Sequence, residues 1–297
     1  MSKISELRAW TTLILLSILW GTSFILIKRS LRAFSPEEVA LLRITISGIA
    51  FAPFFFYHFK TLEWHRWPLY LVVALTGSAI PAILFATAQT ELSSLTVGIL
   101  NSLSPIFTLI IGVFAFKNST SKLQIAGILL GFVGAGVLII LGKSPEEVAH
   151  PVSLFYAGLI ILGAFLYATN VNIIQAKFQH VDPIQLSALA FFILGAPLLF
   201  VIPFTEIPSK VIHHEFGMQS LLAICFLAII STMVALTIFY KLVQQTNAVF
   251  AASVAYLIPI VAIAWGAWDG EYISYYHLLG MTLIIIGVYL SRKGGNH

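Results

Sequence analysis

Few side chains in this sequence have the type and spacing that covalent or metal chemistry needs. There is no HExxH helix for zinc, no GxSxG nucleophile elbow, and no pair of acids deep within an apolar run. His213 and His214 fall in the 206–215 connection and His277 is alone in its stretch. No catalytic residue, metal or cofactor is therefore expected, and an intramembrane enzyme is disfavoured. Cys225, the only cysteine, lies in an apolar run and reads as a small core residue. What the chain offers instead is a set of uncharged hydrogen-bonding and aromatic side chains inside apolar stretches. Trp20, Ser23, Gln89, Asn101, Ser104, Tyr167, Asn170, Tyr256 and Trp265 are the candidates for contact with a small molecule. Amides and hydroxyls supply hydrogen bonds, and the rings supply apolar faces with one polar handle. Amides are poorly tolerated against lipid and should point inward, where part of the set joins helix to helix.

A second group suggests gating or structural roles. Lys28 ends the first apolar run, and Arg43 lies about two turns into the second. Ionisable residues in a span are costly and face the bundle interior or water. Lys28 has snorkelling to the interface as its alternative. Arg43 is expected in an ion pair with Glu37, Glu38 or Glu91, or attracting an anionic substrate group, the ion pair being favoured. Tyr240 closes the eighth span. Pro105 and Pro259 interrupt two uncharged stretches, NSLSPIFTLIIG (101–112) and AYLIPIVAIAWG (255–266). Each removes a backbone donor and frees the carbonyl four residues earlier, that of Asn101 or Ala255. No Asp or Glu lies deep in any span, so a proton relay through a buried acid is poorly supported and facilitated diffusion or exchange is the simpler expectation.

The elements that position these residues follow from composition. The 297 residues are 59% hydrophobic and 9% charged, against about 25% charged in a soluble domain. The surface must be solvated by lipid. The net charge of +4 is spread singly at the ends of apolar runs, so no nucleic-acid partner is indicated. Nine stretches lack Asp, Glu, Lys and Arg: 9–27, 67–90, 92–116, 123–142, 151–176, 183–205, 216–240, 242–268 and 272–291. A tenth, 37–57, is apolar apart from Glu37 and Glu38 at its start and Arg43 inside it. Each approaches the roughly 20 residues of a spanning helix. The first run is followed by Lys28 and Arg29 and has no small-residue cleavage site, so it reads as a retained helix. Lysine and arginine favour both termini on the cytoplasmic side, with Lys28, Arg29 and Arg32 as the exception.

The chain also repeats. Pro36 and Pro183 align at an offset of 147, which sets Trp20 on Tyr167; Pro105 and Pro259 align at 154; GILLGFVG (127–134) aligns with GMTLIIIG (280–287). Five spans per half is odd, so the second half enters the membrane from the opposite face. The expected fold is an all-α integral membrane protein of ten transmembrane helices, built as two inverted five-helix repeats, 1–145 and 151–297. The glycines of 127–136 suit close helix packing, with a homodimer as a further use.

Several of these stretches resemble the EamA-like branch of the drug/metabolite transporter superfamily: WGTSFILIK at 20–28, ALLR (40–43) after Pro36, SP at 104–105, IP at 258–259, and GEYISYYHLLG at 270–280. The resemblance covers the whole chain and implies a secondary carrier in the inner or plasma membrane, often an exporter of amino acids, metabolites or drug-like compounds. It implies that Lys28 and Arg43 face inward, and that Glu271, nine residues before Gly280, serves gating. The matching first-half position is Asn118, a departure from the family's Glu. The expected partners are a small-molecule substrate and the lipid bilayer. Transport would proceed by alternating access through a central cavity. A non-transporting receptor or scaffold and a channel are the rival readings.

Overall fold

The computed structural model describes residues 6–61, 63–92, 94–141, 153–268 and 275–294, at backbone level only for 95, 99, 135, 138–140, 262, 263, 265–268 and 277. The boundary between the expected halves and Glu271 lie outside the described residues, as does the side chain of Trp265. Every regular element among the described residues is helical. In chain order these are α1 (Glu6–Ser30), α2 (Pro36–His58), α3 (Trp64–Ala88), α4 (Ser94–Asn101), α5 (Ser104–Phe114), α6 (Lys122–Leu141) and α7 (Leu154–Lys177). They continue with α8 (Pro183–Leu198), α9 (Ile207–His213), α10 (Gly217–Gln245), α11 (Ala248–Ala252), α12 (Val254–Trp268) and α13 (Tyr275–Gly294). Among the described residues six helical stretches are long and apolar enough to cross a membrane, namely those containing α1, α2, α3, α7, α8 and α10. Large apolar side chains such as Ile14, Ile18, Leu129 and Phe132 face outward, as lipid solvation requires.

Local chemistry explains where the helices start and break. Ser35 caps α2 through a reciprocal pair: its hydroxyl accepts from the Glu38 amide at 3.3 Å, and Glu38 Oε2 accepts from the Ser35 amide at 2.8 Å. Asp182 caps α8 by accepting from the Ile184 and Gln185 amides. Pro36 and Pro183 follow these caps, where a missing donor costs nothing. Pro105 does not kink a continuous helix; the chain breaks, and Pro105 sits in the first turn of α5. The second-half break comes at Ser253, ahead of Pro259, which lies inside α12. The 242–268 stretch therefore begins inside α10 and turns at Asn247, whose side chain accepts from the Phe250 amide at 2.8 Å. Both α3 and α10 contain a wide π-helical turn, Leu75–Ala79 and Leu227–Val234. Pro81 would clash with the Gly77 carbonyl in a regular helix, and the first wide turn relieves this. In the second, Thr232 Oγ1 donates to the Leu227 carbonyl five residues back at 3.0 Å.

Two helix pairs approach through glycine, and both run antiparallel. On α2 and α8, a Cβ at Gly48 would meet the Phe191 carbonyl at 2.8 Å, and one at Gly195 would collide with the Ile44 carbonyl. On α6 and α13, Gly127 lies against Gly287 and Ser291, and Gly134 against Gly280. As the number rises on one helix it falls on the other. The glycines of α6 are thus used inside the chain, whereas Gly136 faces open space. Close backbone approach gains dispersion where no hydrophobic force acts between helices. Gly127→Ala is expected to lower the melting temperature in detergent, by an overpacking cost of about 1–3 kcal/mol. Gly136→Ala should leave it unchanged or raise it, since Ala exceeds Gly in helix propensity by about 1 kcal/mol. Equal melting of the two variants by scanning fluorimetry would refute this packing.

Candidate functional site

Between the helices lies a cavity of about 90 Å³, well above the roughly 10–15 Å³ that admits one water. Its walls come from both halves. Trp20, Ser23 and Phe24 come from α1, Arg43 from α2, Gly77, Ser78 and Phe85 from α3, and Asn101, Ser104 and Thr108 from α4 and α5. Tyr167, Asn170 and Val171 come from α7, Ser231, Thr232 and Phe239 from α10, and Ala255 and Ile258 from α12. Asn101 and Ala255, the two residues whose carbonyls the prolines release, both line it.

The lining pairs off at the offsets seen in the sequence. At 147, Trp20 matches Tyr167, Ser23 matches Asn170 and Phe24 matches Val171; at 154, Gly77, Ser78, Phe85, Asn101 and Ser104 match Ser231, Thr232, Phe239, Ala255 and Ile258. Contacts follow the same rule. Trp20 meets Phe239 edge-on at 5.0 Å between ring centroids, and Tyr167 meets Phe85 at 5.7 Å. Polar contacts tie each half to the wide turn of the other. Trp20 Nε1 donates to the Ser231 carbonyl at 2.9 Å and Ser23 Oγ to Ser231 Oγ at 2.8 Å. Asn170 Nδ2 donates to the Val73 carbonyl at 2.9 Å. Ser47 Oγ donates to the Ala228 carbonyl at 3.1 Å. A buried carbonyl left without a donor would cost about 1–3 kcal/mol, so these side chains stabilise the irregular backbone they contact.

Arg43 enters this apolar lining as its one charged residue. A charge at the centre of a span costs about 2.5–3.5 kcal/mol on the insertion scale. Its Nε donates to Thr232 Oγ1 at 2.8 Å. The ion pair expected of it is not formed: among the described residues no carboxylate lies within 4 Å of its guanidinium. Glu38 is instead engaged by Lys210 Nζ, at 3.0 and 2.9 Å to its two oxygens. That bond, together with a weaker contact to Glu206, holds the Lys210 ammonium pKa above its ordinary value. Glu37 and Glu91 are exposed.

Other expected residues lie elsewhere. Gln89 is buried just past the end of α3, with Ser94 as its neighbour, whereas α3 meets the cavity through Gly77, Ser78 and Phe85. Tyr256 packs on Gly131, and its hydroxyl donates to the Ile128 carbonyl at 2.9 Å, so it fastens α12 to α6 and does not face the cavity. Lys28 is exposed, which corrects the inward position implied by the resemblance. Tyr240 is fully buried beside Asn170 over Gly77, where a Cβ would lie 2.7 Å from both. Phe85, Thr108, Thr232 and Phe239 line the cavity without having been singled out; the 154 offset, carried onto α3 and α10, pairs Phe85 with Phe239.

A second, more polar cavity of about 470 Å³ lies between Asn118, Gln124, Gln175 and Asn247, with Gly112 in its wall. Thr108 of the central cavity is one turn away on α5. Asn172 stands between them, donating to the Thr108 carbonyl at 3.0 Å with its Oδ1 against Gly112.

The chain matches the family model described as the EamA-like transporter family twice, at residues 8–140 and 154–292. An uncharacterised transporter of Archaeoglobus fulgidus is 24% identical over 96% of this chain and 98% of that one. A Salmonella typhimurium protein named "probable amino-acid metabolite efflux pump" is 26% identical over 95% of this chain and 93% of its own. An uncharacterised inner membrane transporter of Escherichia coli is 25% identical over 94% and 89%. A solved crystal structure with 18% identity shares the fold, at a TM-score of 0.70 over 99% of this chain and 100% of that one. A multi-pass apolar helical chain, matched in both halves by one transporter model, belongs to the EamA-like transporter family and is a membrane transporter.

Proposed function

We propose that this protein is a secondary carrier that moves small organic solutes outward across the cytoplasmic membrane by alternating access. The observation that carries this reading is the paired lining of the central cavity, in which the two halves contribute matching residues to one site. Counting α4 with α5 and α11 with α12 as interrupted spans, and leaving out the seven-residue α9 as a connection, gives ten helices, five in each half. The inverted arrangement is supported by the antiparallel glycine contacts. Gly127–Gly287 and Gly280–Gly134 exchange when the halves are exchanged, as do Ile44–Gly195 and Phe191–Gly48. Helices related by an axis in the membrane plane meet antiparallel, whereas a parallel repeat would make them parallel.

Near-equivalent halves suit a carrier because two packings of similar energy open the same site to opposite sides. The polar second cavity is read as an inner vestibule, and Asn172, Thr108 and Gly112 as the thin barrier closing the site from it. No acid lines the central cavity, which favours exchange or facilitated movement over a proton relay at this site. The direction follows the relatives named as efflux pumps, and the charge bias favours both termini in the cytoplasm.

Reconstituted protein is expected to show saturable counterflow for at least one member of a panel of amino acids and amphipathic metabolites. Single-channel currents, or no solute flux at all, would overturn the carrier reading. Pro105→Ala and Pro259→Ala should reduce counterflow more than they reduce the yield of folded protein, and equal losses would make the breaks folding features only. In a Cys225→Ser background, Ser104→Cys should react with an impermeant thiol reagent from either side of the membrane, with transported solute protecting it. Reactivity confined to one side under every condition would exclude alternating access.

A further inference from the structure

We propose that Arg43 is the anchor for a carboxylate, so that the carried solutes are small organic acids with an apolar or aromatic body. The inference rests on the carrier reading and names the substrate class of that same cavity. Among the described residues Arg43 is the one charged residue in the lining, and no described acid accompanies it there. Nε is engaged by Thr232, itself fixed by the Leu227 carbonyl. This orients the guanidinium without neutralising it, and leaves the terminal nitrogens for a planar acceptor, for which two parallel N–H donors are the natural fork. Tyr167, which shares the cavity wall with Arg43, is a phenol and not a carboxylate.

The acids that the sequence offers as its partners are committed or outside. Glu38 is held by Lys210 and by the cap of α2, and Glu37 and Glu91 are exposed. The repeat sharpens the point. At the 147 offset the counterpart of Arg43 is Ala190, which does not line the cavity. A lining in which eight pairs of residues correspond between the halves thus carries a charge on one side only, as a ligand with one charged end requires. Trp20, Phe85, Tyr167 and Phe239 offer that ligand's body a largely aromatic wall. Nothing in the lining would neutralise an ammonium group, so an amine on the solute adds little and an amine without a carboxylate is repelled.

The test compares 3-phenylpropanoate, its neutral amide and 2-phenylethylamine on the full-length protein in nanodiscs, by Trp fluorescence titration and by inhibition of counterflow. The acid should bind about tenfold or more tighter than the amide, on the scale of a hydrogen bond to a charged group, and the amine should bind weakest. Arg43→Gln should collapse the preference of acid over amide, and Arg43→Lys, which keeps the charge but loses the fork, should leave it intermediate. Equal binding of acid and amide to the wild-type protein overturns the proposal and needs no variant to fold. So does a preference that survives in folded Arg43→Gln protein. Counterflow of neutral or cationic solutes with acids excluded would sink this proposal while leaving the carrier standing. Failure of every solute to exchange counts against both.

Discussion

Everything in this molecule answers to one constraint: inside lipid there is no water to satisfy a backbone group that the helix has released. The chain nevertheless releases several, at two helix breaks and two wide turns, all around one cavity. The releases are tolerated because side chains reach across from other helices. Trp20, Ser47 and Asn170 donate to the carbonyls of Ser231, Ala228 and Val73. These bonds do two things at once. They satisfy irregular backbone, and they join the first half of the chain to the second across the space where a solute would sit.

Away from the cavity the same chain is regular and tightly packed. Gly48 with Gly195, and Gly127 and Gly134 with Gly287 and Gly280, bring helix backbones close enough that an added methyl group would collide. The contrast separates rigid helix pairs from an irregular centre. A protein that exposes one site to two sides needs both, because stiff units must move about a region that has more than one way of satisfying its polar groups. Arg43 adds a different demand. Its cost in an apolar interior is met in part by Thr232 and in part by the openness of the cavity itself.

Much of this was legible before any coordinates. The turns that open α2 and α8 are marked by Pro36 and Pro183, because a proline acts locally. The offsets of 147 and 154 were readable from prolines, and they run through the cavity lining. Trp20, Ser23, Asn101, Ser104, Tyr167 and Asn170 reach the cavity because each lies on a span at the depth where the chain is interrupted. Gln89 and Tyr256 do not, although their chemistry is similar. These helices are apolar nearly all round, so periodicity does not distinguish a face turned to the cavity from one turned to a neighbouring helix.

The sequence by itself determined that the chain lives in lipid, where α2 and α8 begin, and that its halves correspond, since these follow from composition, prolines and spacing along the chain. Only the tertiary structure decided who meets whom. Lys210 reaches Glu38 from 172 residues away and so leaves Arg43 without an acid. Tyr256 is taken by the Ile128 carbonyl, and the wide turn of α10 presents Thr232 to Arg43. Such partnerships depend on distances between helices, and competition for a partner across space leaves no trace in the order of residues.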